Sequence, residues 1–284
     1  MIIALNGTCT MYCNLLTDIR IAREAGYGGI EIIGSKLTRY LEQGYSVESV
    51  KHRLNCLPAV AVGYIQDIER QEPEEYESLL ERCDHLCSLA SQLGIPQVQL
   101  LTGPLGPGLG ITGGYQGLGD RQWPEVRKLT AKNLRGLAAI GRKHRVGFYL
   151  EPLAWATLHS LEQTLELLDE AACDNVGMVI DFWHQWTTGT TPEKLAKLDP
   201  KIIVGVHFCD SLPVPHGQPI VHDLREVWTG GGQIPLQAWV DAILSTKFDG
   251  WWSCELFCKK HWERDPWETG RLLREMLQRL LPIG

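Results

Sequence analysis

Strand-like and helix-like patterns alternate along this chain, eight of each, and that alternation limits the folds open to it. Short apolar runs occur at Ile2–Leu5, Gly29–Ile33, Ala59–Tyr64, Gln97–Leu101, Gly147–Leu150, Gly177–Ile180, Ile203–Phe208 and Trp251–Leu256. Each has about the length of a buried strand, ~4–8 residues. Between them a 3.6-residue apolar period marks helices at Leu15–Ala25, Val47–Asn55, Pro73–Leu93, Trp123–Arg145, Ser160–Ala172, Thr191–Leu198, Pro235–Ser245 and Pro266–Leu281. Several open on a helix-start signal: Ser46 before Val47, Thr191 before Pro192, Asp265 before Pro266. Strands separated by helices run parallel, because each return to the same end of the sheet needs a crossover. Eight such units predict an α/β protein, a (β/α)8 TIM barrel with any active site at the C-terminal face of its strands. No GxGxxG follows the first strand, which argues against an open dinucleotide-binding sheet. No linker-like change of composition divides the 284 residues, so a single domain over 1–284 is expected.

Two connections are long: Gly103–Asp120 after the fourth strand and Cys209–Gly232 after the seventh. Both leave strand C-termini, and both are expected to cover the active site. The bulk numbers remove other classes. A formal charge of −7, with no basic cluster longer than Arg142-Lys143-His144-Arg145, disfavours nucleic acid. The start of the chain lacks a signal-peptide pattern, and no run approaches the ~18–20 apolar residues of a membrane span. Nine cysteines, an odd number without CxxC spacing, read as reduced thiols of a cytoplasmic protein. Cys83 and Cys87, four apart on a helix, are expected to pack in the core.

Chemistry concentrates at four strand ends. Glu151 closes VGFYLEP, Asp181 lies in VGMVIDFWH, His207 in IIVGVHFCD and Glu255 in WWSCEL. Each alone could be a loop-entry carboxylate or the cap of the next helix. Strands five to eight are neighbours in a barrel, spaced about 4.8 Å apart, so the four side chains can meet at one ion. Hard oxygen donors plus one imidazole suit Mn²⁺, Mg²⁺ or Co²⁺ better than a thiolate-preferring metal. Three carboxylates and one histidine leave positions for substrate oxygens, the pattern of a catalytic site.

The strings LEP (150–152), DFWHQW (181–186), VHFCD (206–210) and CELF (254–257) resemble the xylose-isomerase-like TIM barrels. GGIEI (28–32) and GGGQIP (230–235) are similar to that group as well. It holds sugar isomerases, ketose 3-epimerases, inosose isomerases and dehydratases and dehydroshikimate dehydratases, with endonuclease IV as a distant relation. The resemblance implies Glu151, Asp181, His207 and Glu255 as metal ligands and His184, in DxxH spacing, as a contact to substrate or metal. Arg225 departs from the epimerase pattern, lying eighteen residues beyond His207 rather than a few, and His222 or His216 could serve in its place. The nuclease relatives need histidines at the ends of strands two to four, where this chain has Gly34, Gln66 and Thr102.

The expected activity is therefore that of a divalent-metal-dependent isomerase or epimerase on an unphosphorylated sugar, keto-sugar or cyclitol. One glutamate of the pair Glu151 and Glu255 removes a proton beside a carbonyl, giving a metal-stabilised enediolate, and the other returns a proton of its own. The same residues would suit a lyase, with His184 or a loop histidine donating a proton to a departing hydroxyl. Trp183, His184, Arg225 and His222 are the expected substrate contacts, Trp183 as an aromatic face. Gly230–Gly232 is followed by no Lys or Arg, which points away from a phosphorylated substrate. The Trp-rich segment His261–Trp267 could join copies of the chain into an oligomer.

Overall fold

In a computed structural model that describes residues 1–105, 115–119, 121–214 and 222–282, eight parallel strands close on themselves in chain order. They are β1 (Ile2–Asn6), β2 (Gly29–Ile33), β3 (Ala59–Ile65), β4 (Gln97–Leu100), β5 (Gly147–Leu150), β6 (Val176–Asp181), β7 (Ile203–Phe208) and β8 (Trp251–Cys254). Closure is the β1–β8 pairing, Ile2 to Leu5 against Trp251 to Cys254. The outer layer comprises α1 (Leu15–Glu24), α2 (Gly34–Glu42), α3 (Val47–Leu54), α4 (Pro73–Leu93), α5 (Trp123–His144), α6 (Leu161–Ala171), α7 (Phe182–Thr187), α8 (Pro192–Leu195), α9 (Leu236–Ser245), α10 (Lys259–Trp262) and α11 (Pro266–Leu280).

Local chemistry accounts for many helix boundaries. Ser160 and Gln163 form a reciprocal capping box on α6, Asp265 caps α11 ahead of Pro266, and Asn14 and Ser46 cap α1 and α3. Gly94 ends α4 in the left-handed conformation, φ +73. Three expectations need correction. The helix expected at Thr191–Leu198 is only the short α8, and the eighth strand stops at Cys254 rather than Leu256. Helices α2, α7 and the single turn α10 were not anticipated. Ile33 before α2 offers no side-chain cap, so the start of that helix carries no capping signal, and α7 (FWHQWT) is short and lacks a clear polar face.

The barrel interior is filled, not hollow. Ala4, Val60, Ala61, Tyr149, Val179 and Trp251 pack together, a set that only the inside of a closed barrel can bring into contact. Gly205 makes room for the indole: a Cβ there would sit 2.2 Å from the Trp251 ring. A separate, larger core lies between strands and helices, including the buried Cys83 and Cys87 of α4. All nine cysteines are unpaired thiols.

Candidate metal centre

Each of the four strand-end residues is delivered by ordinary strand geometry. His207 lies within β7, paired with Asp181 on one side and Ser253 on the other. Asp181 ends β6 and also caps α7, its Oδ1 accepting the His184 N–H at 2.7 Å. Glu151 and Glu255 follow β5 and β8 directly, their N–H groups donating to Leu100 O and Phe208 O and so extending the ladders by one residue. One potential ligand atom from each of the four lies within 4.8 Å of the others, and all four residues are buried. His207 Nδ1 is the hub, 2.8 Å from Glu151 Oε1, 3.9 Å from Glu255 Oε2 and 4.0 Å from Asp181 Oδ2.

Three carboxylates this close repel one another unless a cation lies among them. Two protein cations supply that charge in this structure. Burial alone would push the His207 imidazole down, but Glu31, Glu151 and Glu255 hold it well above its ordinary value. Arg225 is 3% exposed and donates to Glu255 Oε2 at 2.9 Å, with Asp181 Oδ2 at 3.6 Å. Its guanidinium rests over the Phe257 ring at 4.4 Å and the Trp183 ring at 5.1 Å. Burial and the neighbouring Glu151 raise Glu255 to about 8, whereas Asp181, though equally buried, is held low by His184, Arg225 and His207. The donor set therefore fits a divalent cation: it is buried, rich in hard oxygen, and has more negative charge than it can carry unaided.

The structure brings Arg225 to the cluster despite its distance in the chain. Asp210 explains how. Its Oδ1 accepts the N–H groups of Ser211 and Ile234, and its Oδ2 those of Gly230 and Gly232, at 2.8–3.1 Å. That cradle fastens both ends of the segment carrying Arg225 to the top of β7. Gly232 is required there, since a Cβ would lie 2.3 Å from Asp210 Oδ1.

The other expected site residues are placed as follows. His184 is buried between Trp155 and Trp183, its Nδ1 accepting the Ala154 N–H, which assigns the proton of the neutral ring to Nε2. It is not one of the four converging donors. Trp183 is fully buried, with Arg225 against its ring, so in this conformation it supports the arginine rather than offering an open face. His222 opens a 3-10 turn that ends at Arg225; its side chain, and all of His216, lie outside the described residues. Residues 106–114 of the loop after β4 lie outside them too.

Sequence reasoning missed Glu31. This buried carboxylate on β2 accepts from His207 Nε2 at 2.9 Å, on the side of the ring away from the other three acids. Burial would raise it, but His207, Tyr149 and Ser253 together hold it below the usual carboxylate range. A signal was present: an acidic residue in the middle of the buried strand GIEII needs partners to be tolerated. Cys209 also touches the site, accepting the Trp183 N–H at 3.1 Å and donating to Asp181 Oδ2 at 3.3 Å.

The xylose isomerase-like TIM barrel family model matches residues 19–280. The chain belongs to that family. It is 25% identical over 268 residues to an inosose isomerase of Bacillus velezensis, covering 92% of this chain and 90% of the relative. A 3-dehydroshikimate dehydratase of Bacillus anthracis is 27% identical over 180 residues, 62% of this chain and 59% of the relative. Among solved structures, the IOLI protein with a bound zinc atom superposes with a TM-score of 0.87 at 22% identity, covering 99% and 98% of the two chains. Among the described residues no helix of this family member is long and apolar enough to cross a membrane.

Proposed function

We propose that the protein is a divalent-metal-dependent isomerase or epimerase that moves a proton beside the carbonyl of an unphosphorylated keto-cyclitol or keto-sugar. The observation that carries this reading is the convergence of Glu151, Asp181, His207 and Glu255 within 4.8 Å at the mouth of the barrel. These four would hold the cation, which when bound polarises a substrate carbonyl and makes the neighbouring C–H more acidic. Glu255 is the most accessible of the four, 8% exposed against 2% or less for the others, so its carboxylate is the one that faces an arriving substrate. It takes the proton. Glu151, from the other end of the strand arc and held by a hydrogen bond from Gln99 Nε2, starts protonated and delivers its own proton to carbon, and exchange with solvent then resets both carboxyls. Arg225 and the Nε2–H of His184 are donors for substrate oxygens, and the aromatic wall of buried Trp155 and Trp183 and half-buried Phe257 keeps water from the reacting face.

An unphosphorylated substrate is supported by the cradle described above. The amides of Gly230 and Gly232, the natural phosphate grip at this edge of a barrel, are already taken by Asp210. The similarity to inosose isomerases over nine-tenths of the chain supports a cyclitol ketone in particular. A dehydratase outcome from the same residues is supported by the similarity to 3-dehydroshikimate dehydratase.

The test is a proton NMR time course in D₂O with Mg²⁺-loaded protein and a panel of inososes, ketohexoses and dehydroshikimate. Exchange of deuterium into an α-carbon with the substrate skeleton conserved is the expected result, lost in Glu255→Gln. A new vinylic or aromatic resonance would replace the isomerase reading by the lyase. Full activity in Glu255→Gln would remove that residue as the base.

A further inference from the structure

The fourth carboxylate, Glu31, is held more completely than any of the candidate ligands. An ionised carboxylate has about four acceptor positions, and four side-chain donors fill them. Asn6 Nδ2 and Ser253 Oγ donate to Oε2 at 2.7 and 2.8 Å, and Tyr149 Oη donates to Oε1 at 2.7 Å. His207 Nε2 completes the set, 2.9 Å from Oε1 and 3.1 Å from Oε2. The direction of the Asn6 amide is not arbitrary. Its Oδ1 accepts both the N–H and the hydroxyl of Thr8, at 2.9 and 2.8 Å, so its nitrogen must face Glu31. These donors come from β1, β5, β7 and β8 and converge on a β2 carboxylate, so the closed barrel itself fixes where Glu31 points.

We propose that Glu31 is the positioning residue of this centre: it holds His207 with its proton on Nε2, so that Nδ1 is the nitrogen offered to a divalent cation. The inference rests on the metal-dependent reading and deepens it. A metal-bound histidine that donates its second N–H to a carboxylate is oriented in one tautomer. Here the acceptor is anchored by three further donors, none of them from the ligand quartet. Nδ1 points at the gap bounded by Glu151, Asp181 and Glu255, and Nε2 cannot reach it.

Glu31→Gln tests this because the cradle dictates how the new amide sits. The Asn6 nitrogen can only donate, so the oxygen of the introduced amide takes the Oε2 side and its NH₂ takes the Oε1 side. That NH₂ then occupies the position nearer to His207 Nε2, 2.9 Å against 3.1 Å for the oxygen side, and donates to it, so the ring proton moves to Nδ1. The variant keeps the shape of the core yet presents an N–H where a lone pair is needed. The experiment uses full-length protein with ¹⁵N-labelled histidine, Zn²⁺ as the diamagnetic probe, and His207→Gln to assign the resonance. Zn²⁺-loaded wild type is expected to show Nε2–H with Nδ1 shifted by the ion. Glu31→Gln is expected to show the proton on Nδ1 and a Zn²⁺ affinity lower by about 10–100-fold, with the ion-free melting temperature maintained. An unchanged tautomer and affinity in Glu31→Gln would overturn the proposal. A His207 resonance in wild type that ignores Zn²⁺ would overturn the metal reading itself, so the two failures are distinct. Tyr149→Phe is the second variant. It removes one donor from Oε1 but leaves the acceptor for Nε2–H, so it is expected to keep the wild-type tautomer with less than about a tenfold loss of affinity; a proton on Nδ1 there would also overturn the assignment.

Discussion

Replacing Asp210 by Asn changes one atom and should disconnect Arg225 from the site. Each Asp210 oxygen accepts two backbone N–H groups, Ser211 and Ile234 on one, Gly230 and Gly232 on the other. An asparagine serves only one of these pairs. Whichever way its amide turns, the NH₂ faces two N–H donors that have lost their acceptor. Hydrogen bonds to a charged group contribute about 1.5–3 kcal/mol each, so losing two costs roughly 3–6 kcal/mol. That cost is limited by the free energy needed to open the segment locally. The expected result is local: amide exchange across 228–234 accelerates by on the order of 100-fold or more, while peptides from β1 to β8 keep their protection. Turnover falls in parallel, because Arg225 no longer reaches Glu255. Hydrogen exchange by mass spectrometry reads both regions in one experiment. Wild-type protection across 228–234 in the Asn variant would refute the argument, and so would a uniform loss throughout the barrel.

Two further perturbations test the charge balance. Arg225→Met leaves Glu255 and Asp181 buried without their neighbouring guanidinium, and breaking a buried pair costs about 3–5 kcal/mol. A divalent cation would make good the lost charge, so the variant should gain more melting temperature from Mn²⁺ than wild type does; an equal gain would refute this. Glu69, fully buried after β3, accepts the Gly103 N–H at 2.8 and 3.0 Å, and burial raises its carboxyl to about 7. A raised carboxyl binds its proton more tightly in the folded state, so its contribution is intact below the unfolded value near 4.5 and is lost as pH rises through 7. The change amounts to roughly 3 kcal/mol. Glu69→Gln should flatten that part of the stability curve, measured as denaturant midpoints at about pH 4.5 and 7.5, and an unchanged slope would exclude Glu69 as its source.

The barrel was legible because its evidence is local. Each strand and most helices announce themselves through periodicity and caps spanning a few residues, and β-strands that return through helices have little choice but to run parallel. The candidate ligands were legible for a related reason: a strand-end position in the sequence is a rim position in the barrel. Helix α2 escaped notice because Ile33 gives its start no cap, and α7 because burial on several sides erases the amphipathic period on which detection depends. Arg225 could be named but not placed, since its spacing from His207 does not show where the chain returns; the Asp210 cradle decides that.

What the sequence determined by itself was the order of elements, the closed parallel barrel and the four residues its rim would gather, all following from nearest-neighbour pattern plus in-order closure. Tertiary structure alone decided which groups complete the centre. Glu31, Tyr149, His207 and Ser253 are scattered across more than two hundred residues of chain, and they meet because β1–β8 pairing closes the sheet. A side chain pointing into a barrel takes its partners from strands on every side, and no local pattern records which ones they are.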